Sequence, residues 1–141
     1  MKTNVKNFKG RTLILKVKDA IKEGKNIYKN VKGHENEINE FLIDLSNTGL
    51  KRLVVCMNIL YSAKVNGEFK MTRGHSHNTE EVYLVLKGKG YMFIGNDKVN
   101  IKKGDLVTIP ANRYHRTVNT GKEELVFLTI FEKHKASHLK K

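Results

Sequence analysis

Cysteine and proline each occur once in these 141 residues. A single cysteine, Cys56, excludes an internal disulfide and any zinc site built on several thiolates. It lies in the apolar run Leu53-Val54-Val55-Cys56-Met57, where it reads as a small buried hydrophobe. No run of eighteen apolar residues is present, and no basic stretch is followed by an apolar leader. The expectation is a soluble, cytoplasmic protein. Acidic residues are scarce, 14 against 27 basic ones, leaving a formal net charge of +13. Such a balance invites a nucleic-acid reading. Against it, the lysines are scattered along the whole chain, and no helix-turn-helix, zinc-finger or RNP-like pattern occurs. A nucleic-acid partner is therefore disfavoured. Arginine is scarce as well: there are five, and Arg73, Arg113 and Arg116 flank histidines. Arginine forks anions better than lysine, so these three suit an anionic small molecule.

The length is that of one domain, and a hydrophobic content of 39% is enough for a core. Two textures divide the chain. Residues 1–50 read as an N-terminal extension with one or two helices packed on the remainder. The first helix would span 17–31, with Ala20, Ile21, Ile27 and Val31 as its apolar points. The second would run from His34 to Ser46, where Ile38, Phe41, Leu42 and Leu45 follow the i, i+3, i+4, i+7 spacing. Glu35 and Glu37 suit its first turn, and Asn47-Thr48-Gly49 would end it.

Residues 51–131 read instead as short strands and turns. Arg52 to Ser62 is a buried strand, and Val65-Asn66-Gly67 a hairpin turn. Further strands are expected at Glu81–Leu86, Tyr91–Ile94, Val99–Ile101, Leu106–Ile109, Thr117–Val118 and Leu125–Phe131. Glycine turns separate them, and Pro110 ends one of them. Strands at this spacing imply a mainly β sandwich or barrel. Residues 132–141 form a basic tail, where His134 and His138 read as solvated; His34 reads as a polar residue at a helix start.

His75 and His77 are separated by one residue, Glu81 follows, and His115 arrives later. On an extended backbone, His-X-His sends both imidazoles to one face. A carboxylate and a third imidazole beside them complete a mixed nitrogen and oxygen shell for a divalent transition metal (Fe, Mn, Ni, Cu or Zn). The same parity places Arg73 and Tyr83 on that face, and Arg113 and Thr117 beside His115. A polar, anionic small molecule fits such a pocket.

The run Gly74-His75-X-His77-X3-Glu81-X6-Gly88 resembles the first cupin motif. Gly104-X5-Pro110-X-Asn112-X2-His115-X3-Asn119 resembles the second, with Asn112 at a position that is usually glycine and needs positive φ. The resemblance implies a double-stranded β-helix jelly roll, with His75, His77, Glu81 and His115 holding a metal inside. Residues 51–131 resemble more narrowly the archaeal cupin-type glucose-6-phosphate isomerases, in Met71-Thr72-Arg73-Gly74, Glu81-Val82-Tyr83 and Phe127-Leu128-Thr129-Ile130 among other runs. This likeness implies interconversion of an aldose and a ketose phosphate, with Glu81 moving the proton and Tyr83 walling the sugar. Thr72 would stand near the phosphate. Parity, rather than resemblance, adds Arg73 and Arg113 as its cations. Asn58 falls where the family carries a phosphate-contacting threonine, and Phe131 where it carries a tyrosine. The gap from His77 to Glu81 is the generic cupin length, shorter than in those isomerases.

A sugar-phosphate isomerase is thus the leading expectation, as a homodimer by resemblance. A metal-dependent oxidoreductase of the dioxygenase type is the first alternative, since iron in such a shell can activate dioxygen. A non-catalytic metal- or ligand-binding cupin is the second.

Overall fold

The computed structural model describes residues 50–62 and 74–133, together with Lys32 and the backbone of 37–43, 64–65 and 68–69. Ten strands are formed, and no helix occurs among the described residues. They are β1 (Glu37–Ile43), β2 (Leu53–Leu60), β3 (Lys64–Val65), β4 (Glu68–Phe69), β5 (Glu81–Lys87), β6 (Lys89–Ile94), β7 (Asp97–Lys102), β8 (Leu106–Ile109), β9 (His115–Asn119) and β10 (Leu125–Glu132). A five-stranded sheet has the order β1-β2-β10-β5-β8, and a three-stranded sheet the order β7-β6-β9. Strands β3 and β4 pair across residues 66–67, where the Asn-Gly turn was expected. All these pairings are antiparallel. The expected mainly β, cupin jelly-roll class is what the chain forms.

Alternation sets the interior. Along β5 the buried residues are Glu81, Tyr83 and Val85, and along β10 they are Leu125, Phe127 and Thr129. Strand β2 buries Val54, Cys56, Asn58 and Leu60 on the same period of two. Cys56 is a buried free thiol, as its apolar neighbours suggested. One end of the interior is filled by Leu60, Val85, Met92, Ile101 and Leu125, with Tyr83 and Phe127 in the same apolar cluster. The other end carries a polar set: His77, Glu81 and His115. Strands β5 and β9 therefore each begin at the polar end and run to the apolar one.

The helix expected over His34–Ser46 is not formed there. Glu37–Ile43 is instead an edge strand, antiparallel to β2, with Glu37 opposite Leu60 and Phe41 opposite Cys56. The register shifts between Phe41 and Ile43. A bulge of this kind takes up one residue, so the strand need not alternate strictly, and its pattern can imitate helical spacing. Pairing with an exposed sheet edge overrides weak local helix propensity. The helix expected over 17–31 lies outside the described residues, as do His34, His134, His138 and the tail beyond Lys133.

Turn chemistry follows the sequence closely. Gly88, Gly95 and Gly104 have φ of 85°, 61° and 94°, and Asn112 has φ of 65°. Asn112 is the non-glycine residue of positive φ among the described residues, at the position where the second motif calls for glycine.

Candidate metal centre

Two loops and two strands build the cluster. His75 and His77 lie on an extended segment before β5 that belongs to no named strand. It is pinned to the start of β9 by a two-way backbone bridge: His75 N–H donates to His115 O at 3.0 Å, and His115 N–H donates to His75 O at 2.9 Å. Asn112 N–H donates to His77 O at 2.7 Å, which draws the positive-φ turn onto the same segment. Gly74 is required by this approach, because a Cβ there would overlap the Tyr114 ring and crowd His115 O. Glu81 opens β5 and His115 opens β9, so each strand delivers one inward side chain at its mouth.

The four side chains converge. One ligand-type atom from each of His75, His77, Glu81 and His115 lies within 4.8 Å of the others. His77, Glu81 and His115 are 6%, 6% and 2% exposed, while His75 is half-buried, so three of the four side chains are shielded from bulk water. His77 Nε2 and His115 Nε2 each stand 3.2 Å from Glu81 Oε1. The three rings are packed at centroid separations of 4.5 to 5.4 Å.

Outer partners settle which nitrogen faces inward. His77 Nδ1 meets the Thr79 carbonyl at 2.8 Å, and His115 Nδ1 meets the Arg113 carbonyl at 3.0 Å. A carbonyl only accepts, so these contacts suit an N–H at Nδ1 of each ring and turn each Nε2 toward the centre. Metal-binding histidines are oriented in this way. His115 Nε2 is buried and makes no hydrogen bond, despite lying close to Glu81. A buried polar atom without a partner is costly, and a bound cation would satisfy this one. The donor set therefore fits a divalent transition metal.

Glu81 is held anionic. Burial raises its carboxyl pKa, but the close contacts and charges of His115 and His77 together outweigh burial, and the net displacement is downward from 4.5. An ionised carboxylate at neutral pH is what ligation requires.

The remaining expected residues fall into three groups. Tyr83 is 5% exposed, stacks on Phe127 at 4.8 Å between centroids, and sits edge-on to His115 at 6.3 Å. Asn58 faces the same interior and donates from Nδ2 to Thr129 Oγ1 at 3.2 Å. Arg113 is directed elsewhere: its Nη2 donates to Ile94 O at 3.3 Å and lies 3.7 Å from Asp97 Oδ2, on the β6–β7 turn. Thr72 and Arg73 lie outside the described residues. Thr129 was missed by sequence reasoning; its signal was a hydroxyl in step with Phe127 and Phe131 on an otherwise apolar strand.

Two antiparallel sheets enclosing three histidines and a glutamate at one end define a cupin barrel. The cupin domain family matches residues 64–131, and that stretch of the chain belongs to it. Glucose-6-phosphate isomerase of Pyrococcus abyssi is 42% identical over 81 residues, covering 52% of this chain and 43% of the relative. The chain thus spans less than half the length of that relative. Among solved structures, the polyketide cyclase RemF of Streptomyces resistomycificus superposes with a TM-score of 0.71 at 18% identity, over 89% of this chain and 83% of that one. This is a likeness of fold. Oxalate decarboxylase of Bacillus subtilis, a protein with Mn(II) centres, aligns with a TM-score of 0.60 at 25% identity, over 72% of this chain and 27% of that one. No helix among the described residues is long and apolar enough to cross a membrane.

Proposed function

We propose that the chain is a metal-dependent sugar-phosphate isomerase, most like glucose-6-phosphate isomerase, acting on an aldose or ketose phosphate in the cytoplasm. The observation that carries this reading is the buried meeting of His75, His77, Glu81 and His115, in a stretch similar to those isomerases. Fe, Mn, Ni or Zn would be held by these four residues. Bound there, the metal would polarise the substrate's oxygens and offset negative charge as it develops.

The chain's own residues supply the rest. Glu81, ionised among the imidazoles, is placed to take a proton from one sugar carbon and return it to its neighbour. Tyr83, braced by Phe127 and edge-on to His115, would stand beside the sugar. The Asn58–Thr129 pair offers an amide and a hydroxyl to sugar hydroxyls. The enclosure of the cluster keeps bulk water from an enediol-like species. In this reading Thr72 and Arg73 hold the phosphate. A homodimer belongs to the same reading and is checked by light scattering after size exclusion.

The test joins metal analysis to a coupled assay with fructose 6-phosphate. Metal-loaded protein is expected to produce glucose 6-phosphate, and His77→Ala to lose both metal and activity. Metal-loaded protein that leaves fructose 6-phosphate unchanged overturns the reading. Arg73→Ala is expected to raise KM for the phosphorylated sugar far more than for its unphosphorylated analogue. Substrate-dependent oxygen uptake in place of isomerisation would instead establish the oxidoreductase alternative.

A further inference from the structure

A second concavity lies at the opposite end of the barrel from the metal cluster. Three connections form it: the β5–β6 turn at Gly88-Lys89, the β7–β8 turn at Lys102-Lys103, and the β9–β10 loop from Thr120 to Glu123. Its volume is about 610 Å³, within the range of small-molecule sites. Strand β9 runs from His115 at the metal to Asn119 beside this groove, four residues on. At strand rise that is roughly 13 Å. The apolar cluster of Leu60, Val85, Met92, Ile101 and Leu125 lies between the two.

The lining is cationic and its floor is built. Lys89, Lys102, Lys103 and Lys122 line the groove, against one carboxylate, Glu123. Among the described residues, no carboxylate is ion-paired with any of the four ammonium groups. The nearby Asp105 spends Oδ2 on the backbone N–H of Lys102, at 2.9 Å. Beneath the lysines the backbone is tied down. Lys103 N–H donates to Gly88 O at 3.1 Å, joining two of the three connections. The third is braced by Asn119, 2% exposed. Its Nδ2 donates to Leu60 O at 3.0 Å and to Glu123 O at 2.7 Å, and its Oδ1 accepts from Gly121 N–H at 2.8 Å. Four like charges around one hollow repel one another, and an anion among them relieves that repulsion.

We propose that this groove is a second ligand site, separate from the metal centre, for a compact polyphosphate such as a free pyrophosphate or the phosphate chain of a nucleotide. A hollow of this volume admits such a ligand, and the tied loops fix the backbone that carries the four lysines. Lysine meets phosphate as a point charge, so several together favour multivalent over monovalent anions.

The experiment is titration calorimetry of the full chain with inorganic triphosphate, at low and physiological salt. Wild-type protein is expected to bind one equivalent, with affinity falling as salt rises. Lys102→Gln combined with Lys103→Gln is expected to weaken binding at least about tenfold, while Lys133→Gln, outside the groove, leaves it unchanged. His77→Ala should retain triphosphate binding, which separates this site from the proposed isomerase centre. Titration with ATP distinguishes a nucleotide from free polyphosphate: tighter binding of ATP assigns the groove to nucleotides. Equal binding by the groove and Lys133 variants would reveal diffuse surface charge and overturn the proposal. Loss of binding in His77→Ala would overturn it too. So would a single-stranded RNA oligomer that binds where triphosphate does not.

Discussion

His75 and His115 hold each other through their backbones, by reciprocal N–H to carbonyl bonds of 3.0 and 2.9 Å. The bridge brings two segments forty residues apart in the chain into register at the mouth of the barrel. It sets two of the four candidate ligand side chains before any metal is considered. Gly74 permits it, since a Cβ there would run into the Tyr114 ring and approach His115 O. Gly74→Ala is therefore expected to cost about 1–3 kcal/mol of stability and to reduce metal occupancy several-fold. Urea denaturation and metal analysis check both. Tyr114→Ala in the same chain should restore part of the loss, because the ring supplies the nearest obstruction.

His77→Ala removes one inward Nε2 and one close neighbour of the Glu81 carboxylate. Metal content should fall well below stoichiometric, measured after exhaustive dialysis. Without metal the variant should still be less stable than wild type by about 1–3 kcal/mol, because Glu81 stays buried with weaker compensation. Stoichiometric metal in the variant would refute the proposed shell.

Acid should act in two stages. Protons compete with metal for imidazole, so retention is expected to fall as pH is lowered. The metal-free protein should respond lower. The Glu81 pKa is depressed in the folded state, so its contribution to stability is present above the ordinary 4.5 and is lost as pH falls through the folded value. Glu81→Gln should flatten that acid limb, as read from urea midpoints between neutrality and pH 3.

Asn119 at the other end of the barrel satisfies three backbone groups with one buried amide. Asn119→Ala is expected to cost about 2–4 kcal/mol, since the carbonyl of fully buried Leu60 loses its side-chain donor. Metal content should remain near that of wild type, because the apolar cluster separates the two ends. Chemical denaturation beside metal analysis tests the separation.

Much of the barrel was legible in the chain. Period-two alternation and glycine turns locate β2 and β5 through β10 to within about two residues. Asn112 reads as a positive-φ position because asparagine tolerates that region better than other side chains. The N-terminal strand was not legible. Ile38, Phe41, Leu42 and Leu45 satisfy a helical template, whereas a bulge between Phe41 and Ile43 breaks the alternation a strand would show. Only the free edge of β2 decides the matter, and an edge is not visible in local sequence.

The site divides similarly. By itself the sequence singled out the four candidate ligands, since His-X-His, a following glutamate and a distant histidine carry their chemistry in residue type and spacing. Tertiary structure decided which nitrogens turn inward, because the carbonyls of Thr79 and Arg113 engage Nδ1 of His77 and His115. It also sent Arg113 to the β6–β7 turn, paired Asn58 with Thr129, and gathered four scattered lysines around one groove. Parity along one strand says which face a side chain takes. Which partner stands opposite depends on sheet order and register, and those arise only when distant strands pair.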